Sequence, residues 1–135
     1  MYYPLDQLDA HFLKWAVAIA DENHGRILPD GTMQWGGFEV DTFQCVDKLS
    51  DADGIYFECP KCHGTHTSHG IHVYFKGKNV PERLGKNSKG ETVRWSAEGT
   101  GLHDLVLRPS ILLEGPGCEW HGFVGCNGIP PGYAG

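Results

Sequence analysis

No run of about 18 apolar residues occurs in this 135-residue chain, which removes a membrane-spanning helix from the expectations. The opening segment Met1-Tyr2-Tyr3-Pro4-Leu5-Asp6 has no basic flank and no long apolar stretch, which argues against a secretory signal and for a reducing compartment. Bases are scarce: 11 Lys and Arg stand against 17 Asp and Glu, a net charge of −6. Nonspecific affinity for nucleic acid rests on neutralising phosphates, so this balance speaks against a nucleic-acid partner. The bases that do cluster (Lys76, Lys78, Arg83, Lys86, Lys89, Arg94) read as a solvated loop. Catalytic signatures are also missing, with no HExxH, no GxSxG and no phosphate-cradling GxxxxGK[ST]. A zinc deaminase would need His-x-Glu ahead of Pro-Cys-x-x-Cys; here Pro60 falls inside the cysteine pair and no His-x-Glu precedes it. No internal repeat is visible.

What is present points to one domain, residues 1–135, of α+β class: a small antiparallel sheet stabilised by a zinc site, with one N-terminal helix packed on it. The 19 glycines and 8 prolines favour turns and short strands over a bundle. The helix is expected within residues 1–25, because Leu5, Leu8, Phe12, Trp15 and Ile19 recur at helical spacing among Ala16, Ala18 and Ala20. Pro4 suits a first turn, Asp6 and Asp9 suit a positive end, and His24-Gly25 supplies a stop. Pro29-Asp30-Gly31 and Trp35-Gly36-Gly37 are turn chemistry. The β core is expected over residues 38–128, with strands near 38–48, 55–58, 71–75, 102–107, 110–113 and 123–124. An exposed loop is expected at 76–91 and a glycine- and proline-rich tail at 129–135.

Two short pairs carry the chemistry: Cys59-Pro60-Lys61-Cys62 and Cys118-Glu119-Trp120-His121. Two intervening residues let a tight turn aim both side chains of a pair at one ion. Together Cys59, Cys62, Cys118 and His121 form a Cys3His set suited to tetrahedral Zn2+. Calcium and magnesium want oxygen donors, and an iron–sulfur cluster normally wants four cysteines. The histidines His63, His69, His66 and His72 follow the first pair at intervals of three, and His63, His69 or Cys126 can replace a ligand of this set. Cys45 and Cys126 are otherwise expected as small apolar thiols.

The chain resembles a poorly characterised family of small phage and prophage zinc-knuckle proteins. The resemblance rests on Asp51-Ala52-Asp53-Gly54 running into Cys59-Pro60-Lys61-Cys62, on His69 ahead of Tyr74-Phe75, and on Trp95. It continues through Gly99-Thr100-Gly101-Leu102-His103-Asp104-Leu105, Pro109-Ser110-Ile111 and Cys118-Glu119-Trp120-His121-Gly122-Phe123-Val124. It covers residues 48–128; the histidine-rich loop and Cys126 depart from the pattern, and the N-terminal segment lies outside it. The resemblance implies phage origin, hence the host-cell cytoplasm or the virion, and metal binding. It implies no reaction.

Three functions are open at this point. The first is a noncatalytic zinc-stabilised protein acting through protein contacts, as a virion component or a modulator of a host machine. The second is a small zinc-dependent hydrolase or nuclease with His69 and Asp104 near an open metal position. The third is a zinc-ribbon nucleic-acid binder using Lys76 to Arg94 with Trp95.

Overall fold

The computed structural model describes residues 2–62, 64–65, 69–114, 118–126 and 128–133. Among these residues eleven strands occur in chain order: β1 (Tyr2–Pro4), β2 (His11–Ile19), β3 (Gly25–Ile27), β4 (Met33–Trp35), β5 (Glu39–Val46), β6 (Gly54–Glu58), β7 (Gly70–Tyr74), β8 (Ser96–Glu98), β9 (Val106–Arg108), β10 (Ile111–Leu113) and β11 (Trp120–Gly125). The helical residues among those described are three short 3-10 turns, at Leu5–Gln7, Leu49–Asp51 and Leu102–Asp104. The α+β expectation is therefore corrected to an all-β architecture.

The N-terminal helix is replaced by β1, one 3-10 turn and the long strand β2. In β2 the large apolar side chains Leu13, Trp15, Val17 and Ile19 alternate with Lys14, Ala16 and Ala18, a period of two. That alternation coexists with the i, i+3, i+4 pattern, and tertiary pairing decides between them. Phe12 to Ile19 pairs residue for residue with Val46 to Glu39 of β5, while His11 to Leu13 also pairs with β6. Of the supposed helical stripe, Leu5, Leu8 and Phe12 are buried, but Ile19 is exposed on an extended arm.

The arm ends in the β3–β4 hairpin, whose turn is closed by Leu28 N–H donating to the Thr32 carbonyl (2.8 Å). Gly36 and Gly37, both at positive φ, return the chain to β5. The Pro29-Asp30-Gly31 turn and the Trp35-Gly36-Gly37 break are thus found where expected. The strands expected near 38–48, 55–58, 71–75 and 110–113 correspond to β5, β6, β7 and β10. The 102–107 stretch divides into a 3-10 turn and β9.

Two principal sheets result. One is antiparallel with order β5-β2-β6-β7; the other has order β1-β11-β10, with β1 parallel to β11. A smaller β8–β9 pair accompanies them. Phe12, Ile55, Phe57 and Val73 of the first sheet, with Phe75 just after β7, share one core with Ile111, Trp120 and Val124 of the second and with Leu105 and Leu107. Phe12 and Phe75 pack edge to face, centroids 6.5 Å apart. The strand β2 leaves β6 after Leu13. There the buried carboxylate of Asp53 takes over, accepting the Trp15 N–H at 2.9 Å.

Candidate metal centre

The turn Cys59–Cys62 begins where β6 ends, and His69 stands immediately before β7. Because Glu58 pairs with Gly70, the antiparallel register places Cys59 opposite His69, and Cys59 N–H donates to the His69 carbonyl at 2.9 Å. Cys118 enters from the other sheet, two residues ahead of β11. One donor atom from each of Cys59, Cys62, His69 and Cys118 lies within 4.8 Å of all the others. The Sγ atoms of Cys59 and Cys118 are 3.0 Å apart, and Cys62 Sγ is 3.2 Å from His69 Nδ1. Donors around a tetrahedral zinc, with Zn–S near 2.3 Å, stand roughly 3.5–3.8 Å from one another. The cluster is close enough to hold a metal ion.

Its electrostatics ask for a cation. Burial pushes the Cys59 thiol up, but hydrogen bonds from Cys118, from the Cys62 and Lys61 N–H groups and from the Cys62 thiol bring it below its ordinary value. The hydrogen bond to Cys59, together with burial and the neighbouring Cys62, pushes Cys118 up to about 12. One sulfur thus ionises at the expense of the next, since adjacent thiolates repel. A divalent ion reverses that repulsion and accommodates all three thiolates. The two N–H groups aimed at the Cys59 sulfur orient it and delocalise its charge, as supporting contacts around metal ligands do.

Of the residues expected from spacing, Cys59, Cys62 and Cys118 are brought together. His121 is not among them: it lies on the exposed face of β11, its Nε2 2.7 Å from Ser110 Oγ. Strand alternation accounts for this, because Trp120 turns inward to the core and its neighbour turns outward. The imidazole in the cluster is that of His69. Its signal in the sequence was the hairpin register rather than a fixed interval from cysteine. His63 and His66 lie outside the described residues.

Cys126 packs beside the core and donates to the Leu102 carbonyl at 2.7 Å, its thiol pushed up by burial. Cys45 is exposed on β5, contrary to the expectation of a buried thiol.

Asp104 has a different task. Its carboxylate accepts the Thr100 and Gly101 N–H groups, each at 2.9 Å, which lower its pKa to about 2. It closes the loop at 99–104 and is not a member of the cysteine cluster. The two arginines of the basic segment are also committed. Arg83 makes two 2.7 Å bonds to Asp41, and Arg94 donates to the Leu84, Val93 and Pro81 carbonyls with its guanidinium 5.4 Å from the centre of the Tyr74 ring.

Comparison of the chain with family models, with curated proteins and with solved structures finds no match. No helix among the described residues is long and apolar enough to cross a membrane.

Proposed function

We propose that this is a noncatalytic, zinc-stabilised protein of phage type that acts by contacting another protein. The observation that carries the reading is the position of the Cys3His cluster. It ties the β6–β7 hairpin of one sheet to the start of β11 in the other, where a bound ion serves as a clamp. Three thiolates and one imidazole complete a tetrahedral zinc shell and leave no position for a reacting water. Zinc suits these soft donors and their number better than oxygen-seeking cations do. The resemblance over residues 48–128 supports a virion component or a modulator of a host machine.

The hydrolase reading loses its two residues, since His69 belongs to the cluster and Asp104 binds backbone amides. The nucleic-acid reading loses Arg83 and Arg94 to intramolecular partners.

The decisive test has two parts. Metal analysis of the purified chain should return one zinc per chain. The cobalt-substituted protein should show an intense tetrahedral thiolate spectrum that added azide or cyanate does not change. A spectrum that shifts with these anions marks an open coordination position and overturns the noncatalytic reading. Affinity recovery from expressing cells should bring down a reproducible protein partner, and recovery of the chain alone counts against the contact role.

A further inference from the structure

The strand β7 ends the four-stranded sheet, and β10 ends the three-stranded one. Both edges face a single cleft of about 1020 Å3, bounded by Ile71–Tyr74 on one side and 109–114 on the other. The cleft adjoins the metal cluster, with Cys62, His69 and Cys118 at one end.

The direction of the β7 edge is defined by hydrogen bonds. His69 and Phe75 bond toward β6, through the His69 carbonyl to Cys59 and the Phe75 N–H to Asp53. Alternate residues of a strand direct their backbone groups to opposite sides. Gly70, His72 and Tyr74 therefore direct theirs into the cleft. At Tyr74 this edge is already used: the Trp95 N–H donates to the Tyr74 carbonyl (3.0 Å) and the Lys76 N–H to the Trp95 carbonyl (2.8 Å), a parallel bridge. The Trp95 indole N–H reaches across to the Ser110 carbonyl, next to β10, at 3.4 Å. One residue of the lining thus joins the two edges. Past it, among the described residues, Gly70 and His72 have no strand beside them on the side away from β6.

Native sheets blunt such edges with lysine, proline or a covering segment. Here Lys86 and Pro109 are in the lining, but Leu112, on the opposite edge, is still 57% exposed. Away from the cysteine cluster at its end, Lys86 and Glu114 supply one charge of each sign in the lining, so the stretch between the strand edges carries no net charge to select a charged ligand.

We infer that the cleft between β7 and β10 accepts an uncharged, extended peptide segment of a partner protein. The segment adds a strand beside Gly70–His72, continues the line begun by Trp95, and seats an apolar side chain against Trp95 and Leu112. Main-chain hydrogen bonds supply the affinity and the apolar wall the selectivity, the mode known as strand addition. This rests on the protein-contact reading above and names the kind of contact.

The test uses the full chain purified with its metal as bait for a displayed library of random heptapeptides. Enriched peptides are then synthesised with and without N-methyl groups on alternate amides. The expected result is slowed hydrogen exchange at the Gly70 and His72 amides on peptide binding. An affinity loss of about tenfold or more on N-methylation is also expected, the size of one lost backbone bond. Leu112→Lys, at an exposed position, should weaken binding by a similar factor while metal content and melting temperature stay unchanged. Absence of any enriched peptide overturns the inference, as do equal affinity of the N-methylated form and protection confined to other strands. Zinc content is measured on every sample. A metal-free chain defeats the zinc reading whatever the peptides do, whereas failed peptides on a zinc-loaded chain defeat strand addition alone.

Discussion

Cys59 and Cys118 are brought to a sulfur–sulfur distance of 3.0 Å from opposite sheets, 59 positions apart in the chain. A metal at that point links segments of the two sheets directly. Substitution of either sulfur should therefore act on metal content and fold together. Cys118→Ser is expected to lower zinc from one per chain to near zero and to give protein that precipitates or melts at a much lower temperature. Structural zinc contributes about 10–16 kcal/mol in small domains, as much as the whole net stability of a typical one. Metal analysis and circular dichroism on the soluble fraction check this; a metal-free variant of unchanged stability refutes it.

The two histidines provide a sharper contrast. His69→Ala removes a donor that lies 3.2 Å from Cys62, and zinc affinity should fall by orders of magnitude. His121→Ala removes only an exposed contact with Ser110, so one zinc per chain should remain and stability should change by less than about 1 kcal/mol. Competition with a chromophoric chelator measures both. Equal losses in the two variants contradict the assignment of the fourth ligand.

The cysteine part of this centre was legible because two cysteines separated by two residues are a usual spacing for zinc ligands. The histidine was legible only as one of several alternatives to His121, because the place of His69 depends on Glu58 facing Gly70, a register that spacing along the chain does not encode. The strands β5, β6, β7 and β10 were legible for local reasons, being short β-branched or aromatic runs bounded by turn residues. The segment His11–Ile19 was misleading because its apolar residues satisfy two periods at once. Its alanines raise helix propensity, and eight cross-strand pairs with β5 override that propensity. The same pairing leaves Ile19 exposed on the extended arm, whereas a helix packed on a sheet through the expected stripe would have buried it.

Asp41 lies beneath two donors, the Arg83 guanidinium and the Trp15 indole N–H at 2.9 Å, which lower its pKa to about 2. A carboxyl held below its ordinary value of 3.8 stabilises the fold fully above that value, and the contribution is lost as the pH falls through about 2. The Trp15 indole N–H resonance, identified by its disappearance in Trp15→Phe, should therefore titrate with a midpoint near 2. Asp41→Asn should flatten the acid limb of stability between about pH 4 and pH 2. A midpoint near 3.8 means that the two donors do not hold the carboxylate in solution.

Asp53 is the buried acid among the described residues, and its Oδ2 satisfies the Trp15 N–H where β2 parts from β6. Its own backbone links both flanking strands, through its N–H to the Leu13 carbonyl and its carbonyl to the Phe75 N–H. Asp53→Ala keeps the backbone bonds but strands the Trp15 amide. The expected loss is about 1–3 kcal/mol in chemical denaturation, the usual cost of leaving such a donor without its partner. Faster exchange at the Trp15 amide, with little change at Phe75, should accompany it.

The neighbouring Gly54 tests how closely β6 and β7 approach. A methyl group built on its Cα would stand 2.7 Å from the Val73 carbonyl oxygen and 3.1 Å from the Tyr74 ring. The first of these is backbone held in the sheet, so relief requires the strands to part rather than a side chain to rotate. Gly54→Ala should cost about 1–3 kcal/mol, the range for overpacking a close contact. Gly77→Ala serves as the comparison: it meets open space, and only its positive φ (75°) penalises the change. If strand separation is the cause, Gly54→Ala raises amide exchange along Ile55–Val73 and disturbs the cysteine turn that follows β6. Gly77→Ala should leave both unaltered.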